Sequence, residues 1–287
     1  MIIVTGATGA LGSRIVDRLL ERVPAERVGV SARDPEKAAG LAGRGVRVRA
    51  GDFTDPASLE HAFEGAEQVL VVSAAIRGPG AAAANIAAID AAAGAGARRI
   101  LYTSHQAASP TSLFPPQRTH AATEAHLASL GVPFVALRNG FYANALGLLL
   151  GDAARSGRLV APQDGPVSWT AHADLAQAAV AALLDDDLPD GATAPLTAPA
   201  ALDLEAVAAI AGDLAGRPVR RVVVEDDEWR ATAIAGGMPE PAADFTLGLY
   251  RAARDGEFAV TDPTLERLLG RPAVPVRTAL EALVVAG

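Results

Sequence analysis

Gly6, Gly9 and Gly12 stand three residues apart near the start of the chain, with Thr8 between the first two. Each position can do something that a side chain would prevent. Gly6 lets the backbone turn sharply, and Gly9 lets backbone N–H groups come close to an anion with no Cβ in the way. Gly12 lets a following helix lie tightly against the preceding strand. The run Ile2–Val4 before them is β-branched, and Arg14–Leu20 after them has helical apolar spacing. Strand, glycine-rich turn and helix together predict a dinucleotide site. Its phosphates would sit on the helix N-terminus, where Ala10 and Leu11 present unpaired N–H groups at the positive end of the dipole. Thr8 adds a hydroxyl donor.

Other candidate ligand-facing residues follow the ends of later strands. After a second strand (27–31) come Arg33 and Lys37, where an acidic residue would bind the ribose hydroxyls of NAD and a basic one the 2′-phosphate of NADP. The two cations favour NADPH over NADH. Asp34, just before Pro35, reads as a helix cap. A third strand (46–50) ends at Asp52 and Phe53, where an adenine ring could rest. A fourth, apolar strand (68–75) ends in small residues, Ser73 and Ala74, that let a ribose pass close to the backbone. The fifth (99–104) brings Thr103 to the same edge, and a sixth covers 133–137.

Strands alternating with helices (59–63, 81–95 and 119–129 among them) predict an α/β fold, a Rossmann-type doubly wound parallel sheet. Beyond Arg138 helices dominate, at 204–214, 244–254 and 276–285, with short strands near 159–160, 194–197 and 219–224. The expected division is a dinucleotide-binding domain over 1–138 and a smaller, mainly helical substrate lobe over 139–287. Ligands would lie at the sheet's carboxyl edge between them.

The composition narrows the function. A formal net charge of -8 argues against nucleic acid as a partner. The absence of cysteine excludes thiolate chemistry and fits a reducing compartment. Apolar stretches are broken well short of a membrane span, and Met1 opens directly onto the first strand, so no membrane association, no leader and a cytoplasmic location are expected. Five histidines, none paired at metal-ligand spacing, predict no metal site, and neither a nucleophile elbow nor a Walker lysine is present. A monomer or homodimer is expected. Trp169, Phe114, Trp229, Met238 and Phe245 are scarce large side chains in a chain that is 4% aromatic. They are core candidates, with Phe114 the best placed to wall an aromatic pocket.

The stretch 3–12, the segment Ala32–Ala38, Gly51-Asp52-Phe53, Tyr102-Thr103-Ser104 and, most specifically, Leu137-Arg138-Asn139-Gly140-Phe141-Tyr142 resemble atypical short-chain dehydrogenases of the NmrA-like group. Within it the likeness is to bacterial NADPH-dependent quinone oxidoreductases. The resemblance implies hydride transfer to a quinone or polycyclic aromatic ketone, without flavin or metal. It implies cofactor contacts at Gly6, Thr8, Gly9, Arg33 and Ser73, with Asn139, Gly140 and Tyr142 lining the nicotinamide end and the substrate pocket. The Tyr and Lys four residues apart of ordinary short-chain dehydrogenases are absent. So is the lysine that many NmrA-like relatives carry in the helix after the fifth strand, where alanine stands here. His105, just past the fifth strand, His120 and Tyr142 are alternative proton donors, a histidine near its ordinary pKa being able to donate at neutral pH. His105, Tyr142 and Asn144 are the expected catalytic set. The competing readings are a non-catalytic NADP(H) redox sensor of the NmrA-like type and a tailoring oxidoreductase or oxygenase for aromatic metabolites. An open substrate-sized cavity beside the nicotinamide would favour an enzyme, and a filled one the sensor.

Overall fold

The computed structural model describes residues 1–76, 78–151 and 153–285. β1 (Ile2–Thr5) leads into α1 (Ala10–Leu20), β2 (Val28–Ala32) into α2 (Ala39–Ala42) and β3 (Arg47–Ala50) into α3 (Pro56–Phe63). β4 (Gln68–Val71) leads into α4 (Gly80–Gly94), β5 (Arg99–His105) into α5 (Pro115–Ser129), and β6 (Phe134–Asn139) closes the alternating part. Then come β7 (Phe141–Tyr142), α6 (Ala145–Leu150), α7 (Ala153–Ser156), β8 (Arg158–Pro162), β9 (Trp169–Thr170), α8 (His172–Leu184) and β10 (Gly191–Ala192). The last part holds α9 (Leu204–Ala215), β11 (Arg220–Val224), α10 (Asp226–Ala235), α11 (Glu240–Arg254), α12 (Thr264–Leu269) and α13 (Val276–Val285).

The main sheet runs β10-β6-β5-β4-β1-β2-β3 and is parallel throughout. The expected Rossmann-type α/β architecture is therefore the fold. After β3 the chain crosses back over β1 to β4, so the carboxyl ends of β1 and β4 flank the crevice where strand order reverses. Side chains alternate across β1. Ile2 and Val4 join the core under α1 and α8, and Ile3 joins the one under α3 and α4, with Phe63 and Ile89. Both faces are apolar because both are covered, which is why the strands read as continuous hydrophobic runs.

A third apolar core lies in the later part of the chain. Phe114, Phe141, Trp169 and Phe258 are all buried there. Phe114, expected as a pocket wall, is a core residue at 4% exposure, closed in by Phe245, Phe141 and Phe258. Two pieces from beyond residue 138 return to the main sheet. β10 pairs with β6, and α8 packs on α1.

Several element ends differ from the expected ones. α5 starts at Pro115 rather than Thr119, because prolines at its first two positions suit a helix start that needs no N–H donors. α11 likewise starts at Glu240, with a proline at its start, rather than at Asp244. β2 and β3 shift by a residue, and β6 runs on to Asn139. The expected strand at 194–197 is instead the short pairing of Gly191–Ala192 with β6 plus a single bridge from Leu196 to Asn139.

Asp174, fully buried in the first turn of α8, holds the segment before α13. It accepts the Val274 N–H at 2.6 Å and an Arg271 N–H at 2.7 Å. Asp174→Ala leaves both donors without that acceptor and is expected to cost about 2 kcal/mol in chemical denaturation. A cost below about 0.5 kcal/mol would show that the bond is not a tether.

Candidate active site

The glycine turn is built as tightly as its spacing demands. Gly6 has φ +62°, and its carbonyl accepts the Gly9 N–H at 2.9 Å. A Cβ on Gly12 would lie 2.1 Å from that same carbonyl oxygen, so nothing larger than glycine fits. Gly9 occupies the cap position of α1 without a side-chain cap. The first-turn N–H groups, beginning at Ala10 and Leu11, are therefore left for an anion. Thr8, Gly9 and Ala10 are exposed beside them, whereas the Leu11 side chain is buried under the helix.

At the end of β2 the two cations separate in role. Asp34 caps the next turn by accepting the Glu36 N–H at 3.2 Å, and it pairs with Lys37 at 3.5 Å. Arg33 is exposed and makes no ion pair within the described residues. Asp52 faces it from the end of β3. Hydrogen bonds from the Thr54 backbone and hydroxyl, with a smaller contribution from Arg33, hold the Asp52 carboxyl below its ordinary pKa. Phe53 is half-buried against the core beneath α3. The free Arg33, the uncapped α1 N-terminus and the Cβ-free approach at Gly12 fit a phosphorylated dinucleotide.

β4 stops at Val71, four residues earlier than expected, because three successive N–H groups leave the ladder for side chains. Val72 donates to Thr5 Oγ1 at 2.9 Å, Ser73 to Thr103 Oγ1 at 2.8 Å and Ala74 to Asn85 Oδ1 at 2.9 Å. Each acceptor comes from a different element, so the backbone peels off the sheet without an unpaired N–H. A cleft of about 520 Å³ opens there, lined by Ser73, Ala74, Asn85, Pro115, Thr119 and His120 among others. It lies between the N-terminal ends of α4 and α5.

The next strand ends complete the edge. His105 stands opposite Asn139 in the β5–β6 register, and the Gln106 N–H bonds the Asn139 carbonyl at 2.8 Å. His105 Nδ1 accepts the Ala107 N–H at 3.2 Å, and its ring packs against Phe141 and Phe258. Burial drives its pKa well below the ordinary value, helped by His120. Burial also lowers His120 to about 4. Both imidazoles are therefore neutral at pH 7, which corrects the expectation of a histidine near its ordinary pKa: here they can offer an N–H but carry no extra proton. Burial raises the Tyr142 pKa, opposed by a hydrogen bond from Asn139, and its ring centroid lies 4.4 Å from that of His172. Asn139 is 2% exposed, and its Oδ1 has no partner within the described residues. An unpaired buried acceptor at a ligand edge fits a ligand amide. Asn144 is exposed at the start of α6 and makes no side-chain cap bond.

Three residues of this edge were not singled out as site residues from sequence: Asn85, Tyr102 and Glu124. Asn85 did carry a signal, as a lone amide in an alanine-rich helix whose other polar residue, Asp90, is exposed. Glu124, on α5, takes a two-pronged bond from Arg138 and one from the Ser104 hydroxyl, clamping β5 and β6 to α5. No group of His, Asp and Glu that could hold a metal ion occurs among the described residues.

Known proteins of similar sequence and structure include enzymes that bind nicotinamide cofactors. Residues 6–186 match a family model described as NAD(P)H-binding. The chain is 31% identical over 286 residues, 99% of this chain and 98% of the other, to quinone oxidoreductase 2 of Escherichia coli strain K12. It is 33% identical to an NAD(P)H azoreductase of Xenophilus azovorans, covering 95% of this chain and 94% of that one. In structure it superposes with a TM-score of 0.92, at 30% identity and 99% coverage of both chains, on the Escherichia coli NADPH-dependent quinone oxidoreductase complexed with NADPH. The Citrobacter sp. triphenylmethane reductase complexed with NADP(H) gives the same score and identity, over 99% of this chain and 100% of that one.

The free guanidinium predicts the cofactor preference. Arg33→Ala should weaken NADPH binding by about tenfold or more, the worth of one charge-assisted contact, and leave NADH binding unchanged in calorimetric titration. Equal loss for both nucleotides would place Arg33 outside the 2′-phosphate site.

Proposed function

The chain belongs to the NAD(P)H-binding family and is an NADPH-dependent oxidoreductase; we propose that its substrate is a quinone or a related polycyclic aromatic ketone, reduced without flavin or metal. The observation that carries this reading is the cleft between the end of β4 and the N-terminal turns of α4 and α5. It is of small-molecule size and shares Ser73 and Ala74 with the cofactor edge. A regulatory protein that only sensed the nucleotide would need no such opening, and the cleft therefore favours an enzyme over the sensor. The quinone and dye reductases among its relatives support the same substrate class.

NADPH, when bound, supplies the hydride. The chain's residues do the rest. The α1 N-terminus and Gly9 hold the pyrophosphate, and Arg33 the 2′-phosphate. Ser73 and Thr103 border the ribose, and Asn139 offers its unpaired Oδ1 to the nicotinamide amide. Tyr142 and His105 would flank the nicotinamide ring on the inner side of this edge, outside the lining of the cleft itself, with Asn144 farther out. A quinone becomes aromatic as it is reduced, so no strong acid is needed. Holding donor and acceptor in register supplies most of the rate. No helix among the described residues is long and apolar enough to cross a membrane, and the reading proposed is a cytoplasmic enzyme acting as a monomer or homodimer.

The test is NADPH oxidation against a panel of simple and polycyclic quinones, with nucleotide binding followed by thermal shift. Quinone-dependent turnover is expected, reduced in Tyr142→Phe. Its kcat/KM should show no inflection between about pH 5.5 and 8, because a histidine whose folded pKa lies near 4 stays in one form across that window. Tight NADPH binding with no turnover across the panel would sink the quinone reading and revive the sensor.

A further inference from the structure

One hydrogen-bonded chain links four elements around the cleft. The Ala74 N–H, just past β4, donates to Asn85 Oδ1 on α4 at 2.9 Å. That bond fixes the amide, because only its oxygen can accept. Asn85 Nδ2 then faces Tyr102 on β5 and donates to the phenol oxygen at 3.2 Å. The phenol oxygen lies 2.8 Å from His120 Nδ1 on α5. The phenol has two acceptors for its own hydrogen, His120 Nδ1 and the Thr123 hydroxyl, whose hydrogen already goes to the Thr119 carbonyl, and we assign it to Nδ1, 2.8 Å away. The imidazole hydrogen is left on Nε2, on the side of the ring away from Tyr102. Asn85 and Tyr102 are 1% and 0% exposed, whereas His120 is partly exposed and lines the cleft.

We propose that His120, held as the neutral Nε2–H tautomer by the Asn85–Tyr102 relay, donates a hydrogen bond to the oxygen of the substrate reduced in this cleft. The inference rests on the reductase reading above and names the residue that performs its oxyanion chemistry. Reducing a quinone adds two electrons and two protons. The hydride accounts for both electrons and one proton. The charge then left on oxygen is held by Nε2–H, and the second proton comes from water. His120 does not deliver it. Losing the Nε2 proton would leave either an imidazolate or, through the relay, a phenolate at Tyr102, whose pKa burial already raises. A neutral imidazole polarising a carbonyl is a known solution where the surroundings keep the ring uncharged. Asn85 and Tyr102 are positioning residues.

The titratable and charged neighbours of the pair do not disturb this state. His105 lies with its ring centroid 6.1 Å from that of His120 and is itself neutral. Glu124 on α5 is bound by Arg138 and by the Ser104 hydroxyl. Tyr142 is un-ionised. Arg118, at the cleft wall, donates to the Ser112 carbonyl at 2.6 Å.

The experiment has two arms. In the full-length protein carrying ¹⁵N-histidine and no added nucleotide, the ring nitrogens are recorded from about pH 5.5 to 8, with His120→Gln identifying the signal. The expected result is a neutral Nε2–H tautomer throughout. In Tyr102→Phe, where Nδ1 loses its donor, a tautomer mixture and a higher pKa should appear. In turnover, His120→Leu should lower kcat by about 10²-fold, the usual loss for one oxyanion donor, with the NADPH dissociation constant unchanged. His120→Gln, which keeps an N–H, should recover part of that loss. A ring that titrates near its ordinary pKa, an Nδ1–H tautomer, or His120→Leu turnover like the wild type would each overturn the proposal. A wild type that reduces no quinone overturns the reductase reading and this proposal with it. Normal wild-type turnover beside a titrating His120 overturns this proposal alone.

Discussion

The rest of the site depends on the contact between Gly12 and the carbonyl of Gly6. The helix α1 can start where it does only because no Cβ separates it from the turn after β1. That start leaves the first-turn N–H groups of α1, following the uncapped Gly9, at the crevice where strand order reverses. The phosphate end of the ligand is therefore defined by backbone alone, with side chains only choosing among nucleotides. We assign that choice to Arg33, because Asp34 pairs with Lys37 whereas Arg33 makes no ion pair within the described residues.

The edge after β4 and β5, where the nicotinamide is proposed to lie, is organised by a different device. Where α1 leaves N–H groups open, the first three residues after β4, Val72, Ser73 and Ala74, have their N–H groups filled by side chains from neighbouring elements. The result is a backbone that turns away from the sheet at Val72 and forms one wall of the cleft. The opposite wall is α5, pinned by the Glu124 clamp to Arg138 and Ser104. Behind β5, Gln106 bonds Ser168 and the Phe258 carbonyl, tying the same edge to the later core. The ligand edge is thus held by side-chain hydrogen bonds on both sides, which is the kind of positioning that orientation-driven hydride transfer requires.

Much of this was legible in the sequence, for identifiable reasons. The glycine turn and the apolar strands follow from local rules, since glycine spacing and doubly buried strands leave marks within a few residues. Arg33 could be placed because it directly follows a readable strand. The end of β4 could not be read, because Ser73 and Ala74 look like strand continuation until Thr103 and Asn85 are known to capture their N–H groups. The state of His105 and His120 was hidden for the same reason: their burial is made by Phe141, Phe258 and the β5–α5 packing, residues far apart in the chain. Phe114 was misplaced because a lone aromatic on a loop gives no hint of the other rings that close over it.

The central claim is that this edge brings a nicotinamide and a quinone together for direct hydride transfer with no other redox group between them. The most direct measurement is the primary deuterium isotope effect on quinone reduction, using NADPH deuterated at C4 on one face and then on the other, in protein shown by its visible absorption to carry no flavin. The account predicts a clear primary effect from one face only, in flavin-free protein. An absence of any effect from either face, or turnover that follows the content of a bound flavin, would contradict it.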